Sequence, residues 1–253
     1  MTRRIIAIIN QKGGVGKTTT CLNLSHALTR MGKRVLILDM DPQGQLTASV
    51  GIDKWNTRGM DGVLLDGETL DEWCIEVRDK LFLVPAGQRL GELEQLTGGG
   101  AQRGMCLKEA IRDSKHSYDF MLIDCPPSTS LLAMNALLAT HELLIPVAGD
   151  YLSLDGISRL MSVIQHIEQV LKHQKDKWVV ITRFHERRRL AQEVRDKLLE
   201  YFPGRVLATP IREIVSLAES PGFGQTIFEY QATSKGAIDY STLAEDVIER
   251  RAC

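Results

Sequence analysis

Apolar residues gather along the chain in short runs: Ile5-Ile6-Ala7-Ile8-Ile9, the segment Lys33–Leu38, Leu81-Phe82-Leu83-Val84 and Phe120-Met121-Leu122-Ile123. Later runs cover Glu142–Val147 and Lys177–Thr182, and Val206–Glu213 predicts a last strand with its loop. Runs of this length without polar alternation, bounded by turn residues, predict buried strands. Between them the apolar spacing changes to that of helices. Helices are expected over Lys17–Arg30 (with Gly32 just past its end), Met105–Asp113, Ser130–Thr140 and Leu190–Tyr201, the last stopped by Pro203-Gly204. A long helix opens at Ser153-Leu154-Asp155-Gly156 and runs to about Lys172; Leu160, Val163, Ile164, Ile167, Val170 and Leu171 form an apolar face for the core or a dimer contact. Residues 45–80 are poorly patterned and punctuated by glycine, which predicts short helices and loops, with Trp55 and Trp73 as packing residues. Gly98-Gly99-Gly100 predicts a flexible joint, either a domain boundary or, the favoured reading, an insertion within one domain. The expected fold class is therefore α/β: a mostly parallel twisted sheet flanked by helices on both faces, as a single domain over residues 1–253.

The chemistry collects at strand ends. After the first run comes Asn10-Gln11-Lys12-Gly13-Gly14-Val15-Gly16-Lys17-Thr18-Thr19-Thr20. Glycines let successive backbone N–H groups face one hollow, and the following helix N-terminus adds its positive end, so the segment suits phosphate oxygens. The usual phosphate-loop pattern, G-x-x-x-x-G-K-[ST], fails at one place, because Gln11 stands at the first glycine. In exchange a second lysine, Lys12, opens the loop. The second strand delivers Asp39-Met40-Asp41-Pro42-Gln43-Gly44, and the run Phe120–Ile123 ends in Asp124 followed by Cys125-Pro126-Pro127-Ser128. Ligands of open α/β sheets bind beyond the carboxyl ends of strands, which puts these aspartates beside the loop. Cys125 reads as a small filler.

The form K-G-G-x-G-K-T-T resembles the deviant Walker A loop of the ParA/MinD superfamily of P-loop ATPases. The run D-x-D-P-Q-G resembles that family's switch I, and Phe120–Asp124 its Walker B strand. Val215–Gly224 and Ser234–Tyr240, the latter placed before the last helix, resemble the chromosome- and plasmid-partition (ParA/Soj) branch. The resemblance covers nearly the whole chain. It implies ATP and Mg2+ as ligands, held by Lys12, Gly13, Gly14, Val15, Gly16, Lys17, Thr18 and Thr19. Lys17 is expected on the β- and γ-phosphates, and Lys12 on the nucleotide of a second copy across an ATP-sandwich homodimer. Mg2+ is expected at Thr18, Asp41 and Asp124. Asp41 is expected to position the attacking water with Asp39 supporting it, and Thr182, Pro210 and Arg212 to hold the adenine. Relatives bind DNA without sequence preference through arginines, which here points to Arg183, Arg187, Arg188 and Arg189; the plainer reading is a solvated helix start paired locally with Glu186 or Glu193. Ser216 stands where partition relatives often carry a basic residue. A ParB-like or cargo-adaptor protein is the expected stimulator of hydrolysis, and the expected location is cytoplasmic and nucleoid-associated.

Composition narrows this further. With 31 Lys and Arg against 32 Asp and Glu the formal net charge is −1, so nucleic-acid binding rests on a local basic patch. The 5 cysteines are scattered, with no C-x-x-C, which argues against a disulfide framework or a zinc site and fits a reducing compartment. The five-residue apolar run behind Met1-Thr2-Arg3-Arg4 is too short for a signal peptide. No helix-turn-helix segment precedes Met1, so operator-specific repression is not expected. Two other classes compete. A MinD-like membrane ATPase ends in a basic amphipathic helix, whereas Ala244–Cys253 is short and acidic, so membrane binding is not expected. A metabolic enzyme on the same fold, such as a nitrogenase iron protein or a biotin-pathway synthetase, needs a cysteine pair or a substrate pocket that the residues do not announce.

Overall fold

The computed structural model describes residues 3–95, 100–128, 130–150, 152–172 and 174–253. Seven strands form one sheet: β1 (Arg4–Ile8), β2 (Val35–Asp39), β3 (Ile75–Arg78), β4 (Leu81–Val84), β5 (Phe120–Asp124), β6 (Glu142–Ala148) and β7 (Asp176–Thr182), in the order β3-β4-β2-β5-β1-β6-β7. Every pairing is parallel except that of β3 with β4. Parallel strands need crossovers, and the crossover helices cover both faces, so the strands carry apolar residues on both sides. Ile6 and Ile8 point into one core and Ala7 and Ile9 into the other; Val35 and Ile37 likewise oppose Leu36 and Leu38.

The helices are α1 (Lys17–Arg30), α2 (Gln45–Ser49), α3 (Glu92–Gln95), α4 (Gly100–Arg103), α5 (Cys106–Asp113), α6 (Leu131–Ala139), α7 (Leu152–Leu171), α8 (Arg189–Tyr201), α9 (Val215–Glu219), α10 (Ile227–Tyr230) and α11 (Lys235–Glu249). Leu107, Leu132, Ile164 and Leu198 bring α5, α6, α7 and α8 onto one face. Leu22, Leu46, Leu217, Phe228 and Leu243 bring α1, α2, α9, α10 and α11 onto the other. In α7 the expected apolar face is buried at Leu160, Ile164 and Ile167, while Val170 and His166 are exposed. His173 and two members of the glycine joint, Gly98 and Gly99, lie outside the described residues. Among the described residues no helix is long and apolar enough to cross a membrane.

Four expectations are corrected. Residues 45–80 hold the expected short helices, α2 among them, but also the edge strand β3, whose Glu76 and Arg78 alternate with Ile75 and Val77 and leave little apolar signal. Val206–Glu213 is not a strand but a stretch touching β7 at isolated bridges. Leu207 N–H and Ile211 N–H do donate to Val179 and Ile181 carbonyls, at 2.8 Å each. Between them Ala208 N–H goes to Arg251 O, Thr209 N–H to the Asp246 carboxylate, and Pro210 has none to give. The segment Ser234–Tyr240 does not precede the last helix: Ser234 is its N-cap, accepting from Ala237 N–H at 3.2 Å, and α11 starts at Lys235. Trp55 is not a packing residue. It is 74% exposed, in a turn anchored by the Asp53 carboxylate, with the Lys54 ammonium 4.9 Å from its ring centroid. Trp73 does pack against the core.

The turn after α2 meets the turn before α10 at two glycines. Gly224 has φ +66°, and a Cβ there would stand 2.9 Å from Gly51 Cα. Left-handed backbone and overpacking add, so Gly224→Ala is expected to lower unfolding free energy by about 2–4 kcal/mol in a urea titration. Trp55→Ala, by contrast, is expected to change it by less than about 0.5 kcal/mol.

Candidate active site

Strand register sets the site before any side chain is considered. β2, β5 and β1 are neighbours, and Asp124 at the tip of β5 is level with Asp39 on β2 and with Ile8 on β1. The two carboxylates therefore project at one height beside the loop that leaves β1. That loop is braced from two other strands. Buried Asn10 donates to Pro146 O on β6 at 2.8 Å and accepts from Lys12 N–H at 3.0 Å. Thr182, at the end of β7, donates its hydroxyl to Val15 O at 2.7 Å. Gly14 and Gly16 adopt φ +72° and +86°, a region open to glycine at no steric cost. A Cβ at Gly13 or Gly14 would meet nothing within 4 Å, so the protein leaves open space along that edge. Gly16 caps α1 and no side chain caps the first-turn N–H groups, leaving them directed at this space.

The charged groups are balanced but incomplete. Lys17 is only 7% exposed, and burial lowers its pKa against the opposing pull of Asp124, Cys125 and Asp41. Its ammonium donates to Lys12 O at 3.3 Å. Asp124 is wholly buried, and neither carboxylate oxygen has a hydrogen-bond partner in the protein. Burial first, and the Asp39 charge second, push its pKa well above the usual carboxylate range, while the nearby Thr18 hydroxyl and Lys17 pull it down. Buried oxygens without partners are costly, and a divalent cation held by one or two carboxylates, a hydroxyl and phosphates satisfies them. The residues present thus fit Mg2+. Asp39 is also buried, and burial raises its pKa to about 6 despite hydrogen bonds from Thr47 Oγ1 (2.6 Å), Thr47 N–H (2.8 Å) and Asp41 N–H (3.2 Å). Asp41 is half-buried and accepts from Gln43 N–H at 2.9 Å.

Lys12 lies apart from this group. Its ammonium pairs with Asp150 at 2.5 Å, the two side chains being 29% and 47% exposed. Beyond α1 a cavity of about 300 Å³ opens between the loop and the segments after β7, with Gly14, Gly16, Thr19, Thr182, Arg212 and Tyr240 among its walls. Thr182 and Arg212 thus face the space next to the loop, whereas Pro210 is not among its lining residues. The Arg212 guanidinium is gripped by Asp239, with Nε 3.0 and 3.1 Å from the two oxygens.

The arginine segment is exposed but not unpaired. Arg189 bonds Glu193 at 2.9 Å, as the plainer reading expects, and Arg187 is exposed. The main acid is Glu213, which pairs with Arg183 at 3.0 Å and with Arg188 and His185 at 3.5 Å each. Arg183 also lines the cavity and donates to Gly14 O at 3.4 Å. Sequence reasoning assigned no part to Glu213, Asp150, Asp239, Thr47 or Tyr240. All but Thr47, which is eight residues from Asp39, meet their partners through distant chain segments, so no local spacing marks them; Tyr240 lies inside a segment whose resemblance was noted without a role.

Residues 3–176 match a family model described as an AAA domain. Over 251 residues the chain is 41% identical to the chromosome-partitioning ATPase Soj of Thermus thermophilus, covering 98% of this chain and 96% of that one. It is 37% identical over 247 residues to the sporulation initiation inhibitor protein Soj of Bacillus subtilis, covering 96% and 98%. A solved cobyrinic acid a,c-diamide synthase from Mycobacterium smegmatis with bound ADP and magnesium superposes with a TM-score of 0.82 at 30% identity, covering 98% of this chain and 95% of that chain.

The buried carboxylates predict a pH effect of definite sign. Between its ordinary 3.8 and about 6 the folded state holds the Asp39 proton that the unfolded state has lost. Stability therefore falls as pH rises through that window, by on the order of 3 kcal/mol in total. Thermal unfolding of the nucleotide-free wild type should show a midpoint that falls as pH rises from about 4 to 6.

Proposed function

The chain belongs to the ParA/Soj family of partition ATPases, and on that premise we propose that ATP joins two copies of it into a dimer that binds DNA and is released by hydrolysis. One observation carries this reading. Two lysines of one loop sit in different environments: Lys17 is buried against the strand-tip carboxylates, and Lys12 is at the surface on half-exposed Asp150. Lys17 is placed to neutralise phosphates bound to its own chain. Lys12, outside the cradle, reaches the nucleotide of the second copy once it exchanges Asp150 for phosphate.

In this scheme the N–H groups of Gly13, Gly14, Val15 and Gly16 and of the first turn of α1 hold the phosphates, with Thr19 beside them. Thr18 and Asp124 hold Mg2+, near Asp41, and the ion supplies charge neutralisation on the phosphate oxygens. Asp41 orients the water that attacks the γ-phosphorus, with Asp39 fixing the backbone of Asp41 through its N–H; the bond to the β-phosphate oxygen breaks, leaving ADP and phosphate. The adenine occupies the cavity between Thr182 and Arg212, and Pro210, which does not line it, has no part in this scheme. Asp41 is tied to Gln43 in the monomer, which favours slow hydrolysis until a ParB-like or cargo-adaptor protein completes the geometry. Arg183, Arg187, Arg188 and Arg189 contact DNA phosphates without reading bases. The protein acts as one domain over residues 1–253 and positions a chromosome, plasmid or protein complex at the nucleoid, in the cytoplasm. A membrane role is not favoured, because Leu243 and Val247 of α11 are buried in the core rather than offered to a lipid surface.

The test is a DNA-binding titration with ADP, ATP and a slowly hydrolysed analogue at two salt concentrations. DNA is expected to be retained only with triphosphate, and affinity to fall roughly a hundredfold between 50 and 200 mM salt for four phosphate contacts. DNA retention indifferent to nucleotide contradicts the reading, as does turnover that depends on a small carboxylate substrate instead. Lys12→Ala is expected to bind nucleotide but to stay monomeric with the analogue in size-exclusion light scattering; an unchanged dimer rules out the role given to Lys12.

A further inference from the structure

Asp41 does not keep its place alone. The turn it opens carries three hydrogen bonds. The Asp41 carboxylate accepts Gln43 N–H at 2.9 Å, the Asp41 carbonyl accepts Gly44 N–H at 2.8 Å, and the Lys54 ammonium donates to Gln43 O at 2.6 Å. The last two grip opposite ends of one peptide unit, because a carbonyl and the N–H that follows it share a plane. Lys54 therefore pins the far end of the turn whose near end is Asp41. Its stem lies against Gly44, where φ is +59° and a Cβ would stand 3.1 Å from Lys54 Cδ and 3.2 Å from Lys54 Cβ, so this approach needs a glycine. Lys54 is itself held from elsewhere. The Asp53 carboxylate accepts Trp55 N–H at 3.0 Å, the Thr57 hydroxyl donates to Asp53 O at 2.7 Å, and the Gln88 amide donates to Trp55 O. Gln88 follows β4, the strand beside β2, so the lysine is fastened to the sheet that carries Asp39.

We propose that Lys54 is a positioning residue for hydrolysis: it clasps the Gln43–Gly44 peptide and so keeps the Asp41 carboxylate in its hydrogen bond to Gln43 N–H, which slows turnover. This deepens the reading of Asp41 as the residue that orients the attacking water, and rests on it. To orient water, a carboxylate has to present a free oxygen in the right direction. Asp41 Oδ1 is instead engaged by its own turn. A bond from an ammonium to a carbonyl is charge-assisted and stronger than a neutral one, and the Trp55 ring, with its centroid 4.9 Å from the Lys54 ammonium, favours the same placement of the cation. With the clasp removed, the turn keeps only bonds that Asp41 makes to its own neighbours, and it opens more often. The carboxylate then spends more time free to reach the water.

Two measurements on the full-length protein test this, with Lys54→Ala and with Lys54→Arg, which keeps a charged donor. The first is amide hydrogen exchange by NMR without nucleotide. Gln43 and Gly44 N–H are expected to exchange about two- to fivefold faster in Lys54→Ala, the range of a partly exposed charged contact, while Leu38 N–H in β2 is unchanged. The second is ATP hydrolysis in a single turnover, with the Kd for ADP measured alongside. Lys54→Ala is expected to raise the hydrolysis rate about two- to fivefold and leave the Kd as it was, and Lys54→Arg to return exchange and rate towards wild type. Unchanged exchange at Gln43 overturns the proposal, as does an unchanged or lower hydrolysis rate. Faster exchange at Leu38 as well, or a shifted Kd, gives Lys54 a general structural role and overturns it too. The underlying reading fails by a different sign: Asp41→Asn hydrolysing ATP as fast as wild type shows that Asp41 does not orient the water, whatever Lys54→Ala does.

Discussion

Two buried carboxylates at the tips of neighbouring strands, facing one buried lysine, are the constraint on which the rest of the structure turns. Asp39 and Asp124 are level in the sheet, and both titrate above the ordinary carboxylate range because water has been taken from them. Lys17 is pulled the other way by the same burial. Such a group is expensive to assemble, and the Thr18 hydroxyl and the Lys17 charge offset the burial of Asp124 only in part. A fold tolerates this at the place where a ligand completes the charge balance.

The surrounding architecture follows from holding that group in place. Parallel pairing of β2, β5 and β1 brings their tips to one height, and both faces of those strands are buried, so the register cannot slip without exposing apolar side chains. The loop after β1 is tied to β6 by Asn10 and to β7 by Thr182, so the glycines supply conformational freedom inside a rigid frame. The Lys12 side chain is the part of the loop left outside this frame. Its pairing with Asp150 lies at a surface where water screens the interaction and is weak.

Much of this was legible in the sequence. The apolar runs that end at Asp39 and Asp124 and the lysine-rich loop placed the acidic groups beside the glycine-rich turn into α1, because short-range patterns encode strand, loop and helix N-terminus. Long-range pairing was not legible. Glu213, thirty residues from Arg183, meets it only because the chain returns past β7, and Asp150 reaches Lys12 only because β6 lies beside β1. The stretch 206–213 reads as a strand since its apolar content is that of one, yet its donors are diverted to the end of α11 and to Pro210, which has none. Trp55 reads as core by its size, yet its turn is anchored at the surface by a carboxylate that no hydrophobic pattern records.

Thermal unfolding in the presence of a slowly hydrolysed ATP analogue, with and without Mg2+, in wild type and Asp124→Asn, measures directly whether the strand-tip carboxylates await a cation and a phosphate. At a hundredfold excess over the dissociation constant, analogue with Mg2+ is predicted to raise the wild-type midpoint by about 5–10 °C. The part of that shift that depends on Mg2+ is predicted to vanish in Asp124→Asn. An equal shift with and without Mg2+, or the same Mg2+ dependence in both proteins, would contradict the account.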